Sequence, residues 1–282
     1  MAIKLMYITN NEKVAQIAEK SGVDWIFIDL EIRGKAARQG GLNTVKSNHS
    51  IKDVKKIKKV LKHSELLVRV NSPYEGLQDE IEQVINDGAD IVMLPFFKTK
   101  EEVEAFIRYV KARAKTCLLL ETPEAVENID TILEVTGIDF IHIGLNDLHL
   151  AYKMHFMFEL LADGTVEKLC KIISKNKIPY GFGGMARIGE LDPPAENILT
   201  EHYRLGSSMV ILARSFCDAG KIESLDQIKE IFEAGVQKIR DFEKILLQAD
   251  KNYFDDNQKF VHDRIVNIAN NIEERLVAEG KN

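Results

Sequence analysis

The stretch CLLLETPEAVENIDTILEVTGIDFIHIGLNDLHLAYK, Cys117 to Lys153, decides the fold. Its apolar run Cys117 to Leu120 ends on the carboxylate Glu121. A Thr-Pro-Glu opening then starts a helix with Ala125, Val126, Ile129, Ile132 and Leu133 on one side. A second apolar run, Phe140 to Ile143, leads into Gly144-Leu145-Asn146-Asp147-Leu148. The pattern is strand, helix, parallel strand, with a carboxylate just past the C-terminal end of each strand. Ligands and chemistry gather at that edge of parallel α/β folds, so Glu121 and Asp147 are candidate ligands of one hard divalent cation. Taken singly, either carboxylate could serve a turn or a helix N-terminus; together at one edge they favour the cation.

Outward from this unit the alternation continues. Strands are expected at 3–8, 25–30, 66–71 and 91–94 before it, and at 180–183 and 208–212 after it, with helices between. A long helical pattern is expected from Asp147 to about Lys175. Eight strands alternating with helices give an α/β fold, a (β/α)₈ TIM barrel, and about 250 residues suffice for one. An open doubly wound sheet is the rival, but the glycine-rich dinucleotide fingerprint after its first strand is missing. Residues 1–250 therefore read as the barrel, and 251–282 as a C-terminal helical extension. Its apolar face, Phe260, Val261, Ile265, Ile268, Ile272 and Leu276, needs a cover.

The chain has 282 residues and a formal net charge of -6, which argues for a soluble protein without a nucleic-acid footprint. The lysines of residues 52–62 alternate with apolar residues at helical spacing and read as a solvated face. Cys117, Cys170 and Cys217 lack metal-ligand spacing and fit free thiols in a reducing cytoplasm. No apolar stretch approaches about 18 residues, so neither secretion nor membrane spanning is expected.

Other candidate site residues follow from strand ends. Asp29 and Glu31 lie two apart and share a face at the end of the second strand. Arg69 ends the third strand inside an apolar run, where a guanidinium needs a partner. It is read either as an ion pair with Asp29 or Glu31 or as a planar fork for a substrate carboxylate. The long connection after Glu31 carries Arg33, Lys35 and Arg38 and ends near His49, an imidazole placed either over the barrel mouth as a proton acceptor or at the start of the next helix. Gly144 and Asn146 beside Asp147, and Gly184 after the seventh strand, are candidate substrate contacts. Gly183, Gly184 and Arg214 occupy positions where barrels bind anions, and His149 lies two residues past Asp147.

The segment LLLETPEAVENIDTILEVTGIDFIHIGLNDLHLAYKM resembles the signature block of the HpcH/HpaI aldolase and citrate lyase beta-subunit family. The matching positions are Glu121, Asn128, Gly137, Asp139, Gly144, Asp147 and Leu148, and DWIFIDLE, LLVRVN and GADIVMLP extend the likeness over roughly residues 20–215. The resemblance implies a TIM barrel in which Glu121 and Asp147 hold a divalent cation, Mg²⁺ first and Mn²⁺ as a substitute. It implies that Arg69 binds a substrate carboxylate, that catalysis involves Arg69, Glu31 and a base such as His49, and that the extension can pack on a neighbouring subunit of a homo-oligomer. The activity implied is an aldolase-class carbon-carbon lyase acting next to a pyruvate-like enolate of a 2-oxo acid, with an aldehyde as the other fragment.

Two positions depart from the aldolase branch. Ile32 stands where that branch places a His, and Leu119 stands where it places a Gln. Leu119 moves the chain toward an acyl-CoA lyase of the citryl-CoA or malyl-CoA type, and Ile32 leaves room for a binding protein without turnover.

Overall fold

The computed structural model describes residues 2–32 and 49–280. Eight parallel strands close into a barrel in sequence order: β1 (Lys4–Ile8), β2 (Trp25–Asp29), β3 (Glu65–Arg69), β4 (Ile91–Leu94), β5 (Lys115–Leu120), β6 (Phe140–Ile143), β7 (Tyr180–Met185) and β8 (Met209–Leu212). β1 pairs with β8 through Met6 and Ile211, which completes the closure. This is the expected TIM barrel, and β4 and β6 have the expected boundaries.

The period of two along each strand sorts side chains into two cores. Met6, Phe27, Leu67, Ile91, Met93, Cys117, Leu119 and Met209 fill the lumen. The alternate residues, such as Leu5, Ile26, Leu66, Val92, Leu118 and Ile141, pack outward under the helices.

Helices cover the outside: α1 (Glu12–Lys20), α2 (Ile51–Lys58), α3 (Leu77–Asn86) and α4 (Lys100–Val110). The helix expected after Glu121 is two short pieces, α5 (Pro123–Glu127) and α6 (Ile129–Ile132), parted at Asn128, whose Nδ2 donates to the Lys98 carbonyl at 3.0 Å. The long helix expected after Asp147 is likewise divided, into α7 (Leu145–Ala151), α8 (Glu159–Ala162) and α9 (Thr165–Lys175). Lys153 and Gly164 adopt φ +58 and +82, and a left-handed residue cannot continue a right-handed helix.

α10 (Ala195–Arg204) precedes β8, and α11 (Leu225–Leu246) closes the ring against α1. The C-terminal helix α12 (Lys251–Ala278) is capped by Asp250, whose carboxylate accepts from Tyr253 N at 3.0 Å. It packs on α8 and α10 of its own barrel and buries Asn257, Val261, Ile265 and Ala269. Asn257 Nδ2 donates to the Asn197 carbonyl and to Glu201 Oε1. Phe260, assigned to the apolar face by its spacing, is half exposed, because the buried stripe turns toward the small residue Ala269.

Candidate active site

β2 and β3 place Asp29 and Arg69 opposite each other in register, both directed into the barrel by the same alternation that buries Phe27 and Leu67. Arg69 Nε and Nη2 donate to the two oxygens of Asp29 at 2.8 and 2.9 Å, and Nη1 lies 3.4 Å from Glu31 Oε2. Of the two readings of the sequence, the ion pairs with Asp29 and Glu31 are present. Burial alone would lower the Arg69 pKa, but the carboxylates of Asp29, Glu31 and Glu121 outweigh it and the net shift is upward. Asp29 Oδ1 also accepts the Glu31 N–H at 3.1 Å, which fixes the turn leaving β2.

The loop after β3 is held in the same way. Asn71 Oδ1 accepts the Ile32 N–H, while Glu80 accepts from the Asn71 backbone and side chain and from Tyr74 Oη.

Glu121 leaves β5 almost fully buried, at 2 % exposure. Thr122 then caps α5 by accepting the Ala125 N–H at 3.1 Å and donates its own hydroxyl to the Phe97 carbonyl. Gly144 makes room for Glu121: a Cβ there would stand 2.7 Å from Glu121 Oε2 and 2.8 Å from Glu121 Cβ. Its N–H donates to the Leu120 carbonyl at 2.9 Å, joining the end of β6 to the end of β5. Gly144 is also the N-cap of α7, so Asp147 falls in the first turn of that helix, half buried, and Asn146 beside it is exposed.

Glu121, Asp147, Asp29 and Glu31 carry four formal negative charges against the one of Arg69, an excess that favours a cation. Among the described residues no group of three or more His, Cys, Asp and Glu side chains forms a ready-made metal cage. Two carboxylates fit Mg²⁺ nonetheless, because that ion keeps several waters and is bound through one or two carboxylates together with its substrate.

His49 is held at the end of β2. Leu30 donates to the Arg69 carbonyl, so the Asp29 N–H points the other way, and His49 Nδ1 accepts it at 3.0 Å. With that lone pair engaged, a neutral ring carries its hydrogen on Nε2. His149 turns back to the Leu145 carbonyl at 3.1 Å and is buried. Gly184 sits in β7 with ordinary contacts, and Arg214 is exposed past β8. Arg33, Lys35 and Arg38 lie outside the described residues.

Sequence reading missed two features. A pocket of about 410 Å³ opens beside Glu121 and Thr122 and is lined by Ser72, Phe96, Lys98 and Glu124. Phe96 holds φ +50 just after β4, the kind of strained backbone that clusters at functional sites; the signal was an aromatic pair, Phe96-Phe97, following Pro95. The second is His142, alone among apolar residues of β6 and directed into the lumen by alternation with Ile141 and Ile143.

Comparison with known proteins agrees with this architecture. The sequence profile of the HpcH/HpaI aldolase/citrate lyase family matches residues 4–159, more than half of the chain. A 2-keto-3-deoxy-L-rhamnonate aldolase of Klebsiella pneumoniae is 30% identical over 177 residues, 52% of this chain and 60% of that protein. The match thus spans less than two thirds of that relative's length. Among solved structures, an HpcH/HpaI aldolase from Desulfitobacterium hafniense superposes with a TM-score of 0.59 at 16% identity, covering 81% of this chain and 93% of its own. An HpcH/HpaI aldolase/citrate lyase family protein from Burkholderia cenocepacia gives 0.60 at 14%, covering 81% and 95%. These two share the fold; the profile match over more than half of its length shows that the chain belongs to the HpcH/HpaI aldolase/citrate lyase family.

Proposed function

We propose that this protein is a divalent-cation-dependent carbon-carbon lyase of the aldolase class, acting on a 2-oxo acid. The observation that carries the reading is the packing of Glu121 against Gly144, the N-cap of the helix turn that bears Asp147, within electrostatic reach of Arg69. Glu121 and Asp147 would hold the cation, Mg²⁺ or Mn²⁺. When bound, it supplies charge stabilisation for the oxygen of the 2-oxo group as the carbon-carbon bond breaks.

The protein's own residues do the rest. Arg69, locked on one edge by Asp29, keeps a fixed orientation and presents its remaining N–H groups to the substrate carboxylate. Asn146 and Gly144 line the approach from α7, and Gly184 the approach from β7. His49 accepts the Asp29 N–H and so holds the end of β2, and Glu31 completes the negative wall facing Arg69. The buried setting of Asp29, Glu31 and Glu121 strengthens each of these electrostatic contacts.

The deciding experiment offers pyruvate in D₂O with Mg²⁺. Deuterium entering the methyl group is expected, and its loss after exhaustive chelation or in Glu121→Gln supports the cation role; exchange that survives both sinks it. The acyl-CoA thioester reading rests on Leu119, a 4 %-exposed lumen residue whose Cδ1 lies 3.3 Å from the Gly144 Cβ position. Thermal-shift titration with oxo acids against acyl-CoA thioesters separates the two. In this proposal the protein works as a homo-oligomer, in which the outer turns of α12, with exposed Val277 and half-buried Ile272 and Leu276, meet a second copy.

A further inference from the structure

His142 lies in the barrel wall at 1 % exposure. Its Nε2 is 3.0 Å from the Gly183 carbonyl oxygen, which can only accept, so Nε2 carries the hydrogen and Nδ1 is the lone-pair nitrogen. Nδ1 is buried without a hydrogen-bond partner among the described residues. Burial and the nearby Arg69 charge keep the ring neutral, with its pKa lowered to about 4. The unpaired Nδ1 is a cost that a leucine or phenylalanine would avoid, though either would in turn strand the Gly183 carbonyl.

What its one hydrogen bond holds explains that cost. Gly183 has φ +54 and sits at the irregularity where the β7 register shifts between Gly181 and Gly184. The backbone there runs so close to α7 that a Cβ on Gly183 would stand 2.8 Å from Leu145 Cδ1. Leu145 opens α7, and Asp147 follows two residues later in the same turn. We propose that His142 is a positioning residue: by donating to the Gly183 carbonyl it pins the β7 bulge against Leu145 and so sets the place of the Asp147 carboxylate opposite Glu121. The inference rests on Asp147 and Glu121 being the cation ligands.

The test is Mn²⁺ affinity, read by electron paramagnetic resonance of the free ion, together with thermal stability. His142→Leu, which removes the donor to the Gly183 carbonyl, is expected to weaken Mn²⁺ binding roughly 10- to 100-fold in a chain that still folds, as loss of a group supporting a metal ligand does. His142→Gln, whose amide N–H can reach the same carbonyl, is expected to restore affinity. A group that only filled the core would not give this split. Unchanged Mn²⁺ affinity in His142→Leu overturns the proposal. So does a loss shared by Leu and Gln that follows a lower Tm. If the unsubstituted protein shows no Mn²⁺ binding sensitive to Glu121→Gln, the cation site itself falls, and the two failures are distinguishable.

Discussion

Asp29 and Arg69 face each other in parallel register, and the carboxylate closes on the guanidinium through two hydrogen bonds of 2.8 and 2.9 Å. A buried pair of this kind punishes removal of one partner more than it rewards its presence, because the remaining charge stays out of water. Arg69→Ala should therefore destabilise the fold by about 3–5 kcal/mol, visible as a lower Tm. Arg69→Lys keeps the charge and loses the fork. It should leave more of the stability while weakening binding of a 2-oxo acid roughly 10- to 100-fold, measured by calorimetry. Wild-type affinity in the Lys variant would remove Arg69 from the carboxylate site.

Gly144 is where a single methyl group should separate stability from cation binding. A Cβ there meets both the Cβ and Oε2 of Glu121, so the carboxylate cannot yield by rotating its tip alone. Gly144→Ala should cost about 1–3 kcal/mol of overpacking. It should also reduce Mn²⁺ affinity roughly 10-fold or more by displacing a ligand. Titration of the refolded variant checks it; full affinity would mean that Glu121 is not a ligand.

The barrel was legible because its strands are short apolar runs bounded by turn residues, and their C-terminal ends carry the charged residues. Phe140 to Ile143 and Ile91 to Leu94 coincide with β6 and β4 for that reason. The helices were less legible. Asn128, Lys153 and Gly164 break patterns whose apolar periodicity continues across them, since periodicity reports which face is buried and not whether the backbone stays helical. The candidate site divides along the same line. Asp29, Arg69, Glu121 and Asp147 could be found because strand ends converge in a barrel. The ring orientation of His49 depends on an N–H of another strand, and the link from His142 through Gly183 to Leu145 crosses two chain segments, so neither was visible in the sequence.

His142 and His202 give the fold a defined acid sensitivity. Burial holds their pKa values at about 4 and about 3, below the usual 6.5. His202 is stacked on Phe182 at 3.8 Å with Nδ1 against Ser207 Oγ. The unfolded chain takes up protons on both rings below its own pKa, while the folded chain refuses them until lower pH. Their neutral forms thus contribute stability that is fully present above about 6.5 and is lost as pH falls toward the folded values. Denaturant midpoints should fall between pH 6.5 and 4, by up to about 1.4 kcal/mol per pH unit for each ring. The dependence should flatten in His142→Leu and in His202→Phe; an unchanged pH slope in both would refute the assignment.

The last prediction concerns His49, whose Nδ1 already accepts the Asp29 N–H. A base needs a lone pair directed at the substrate, and with Nδ1 engaged a contribution of the neutral ring to turnover would come through Nε2–H. His49→Asn keeps an acceptor for the Asp29 N–H, through its side-chain carbonyl, and removes the distal donor. Turnover should fall roughly 10²-fold, the loss seen when one donor to a developing oxyanion is deleted, with Tm and Mn²⁺ affinity preserved. His49→Ala should lose the same activity and also loosen the end of β2, lowering Tm and weakening the hold of Asp29 on Arg69. Equal kcat in His49→Asn and the unsubstituted protein would show that the imidazole serves only the backbone of Asp29.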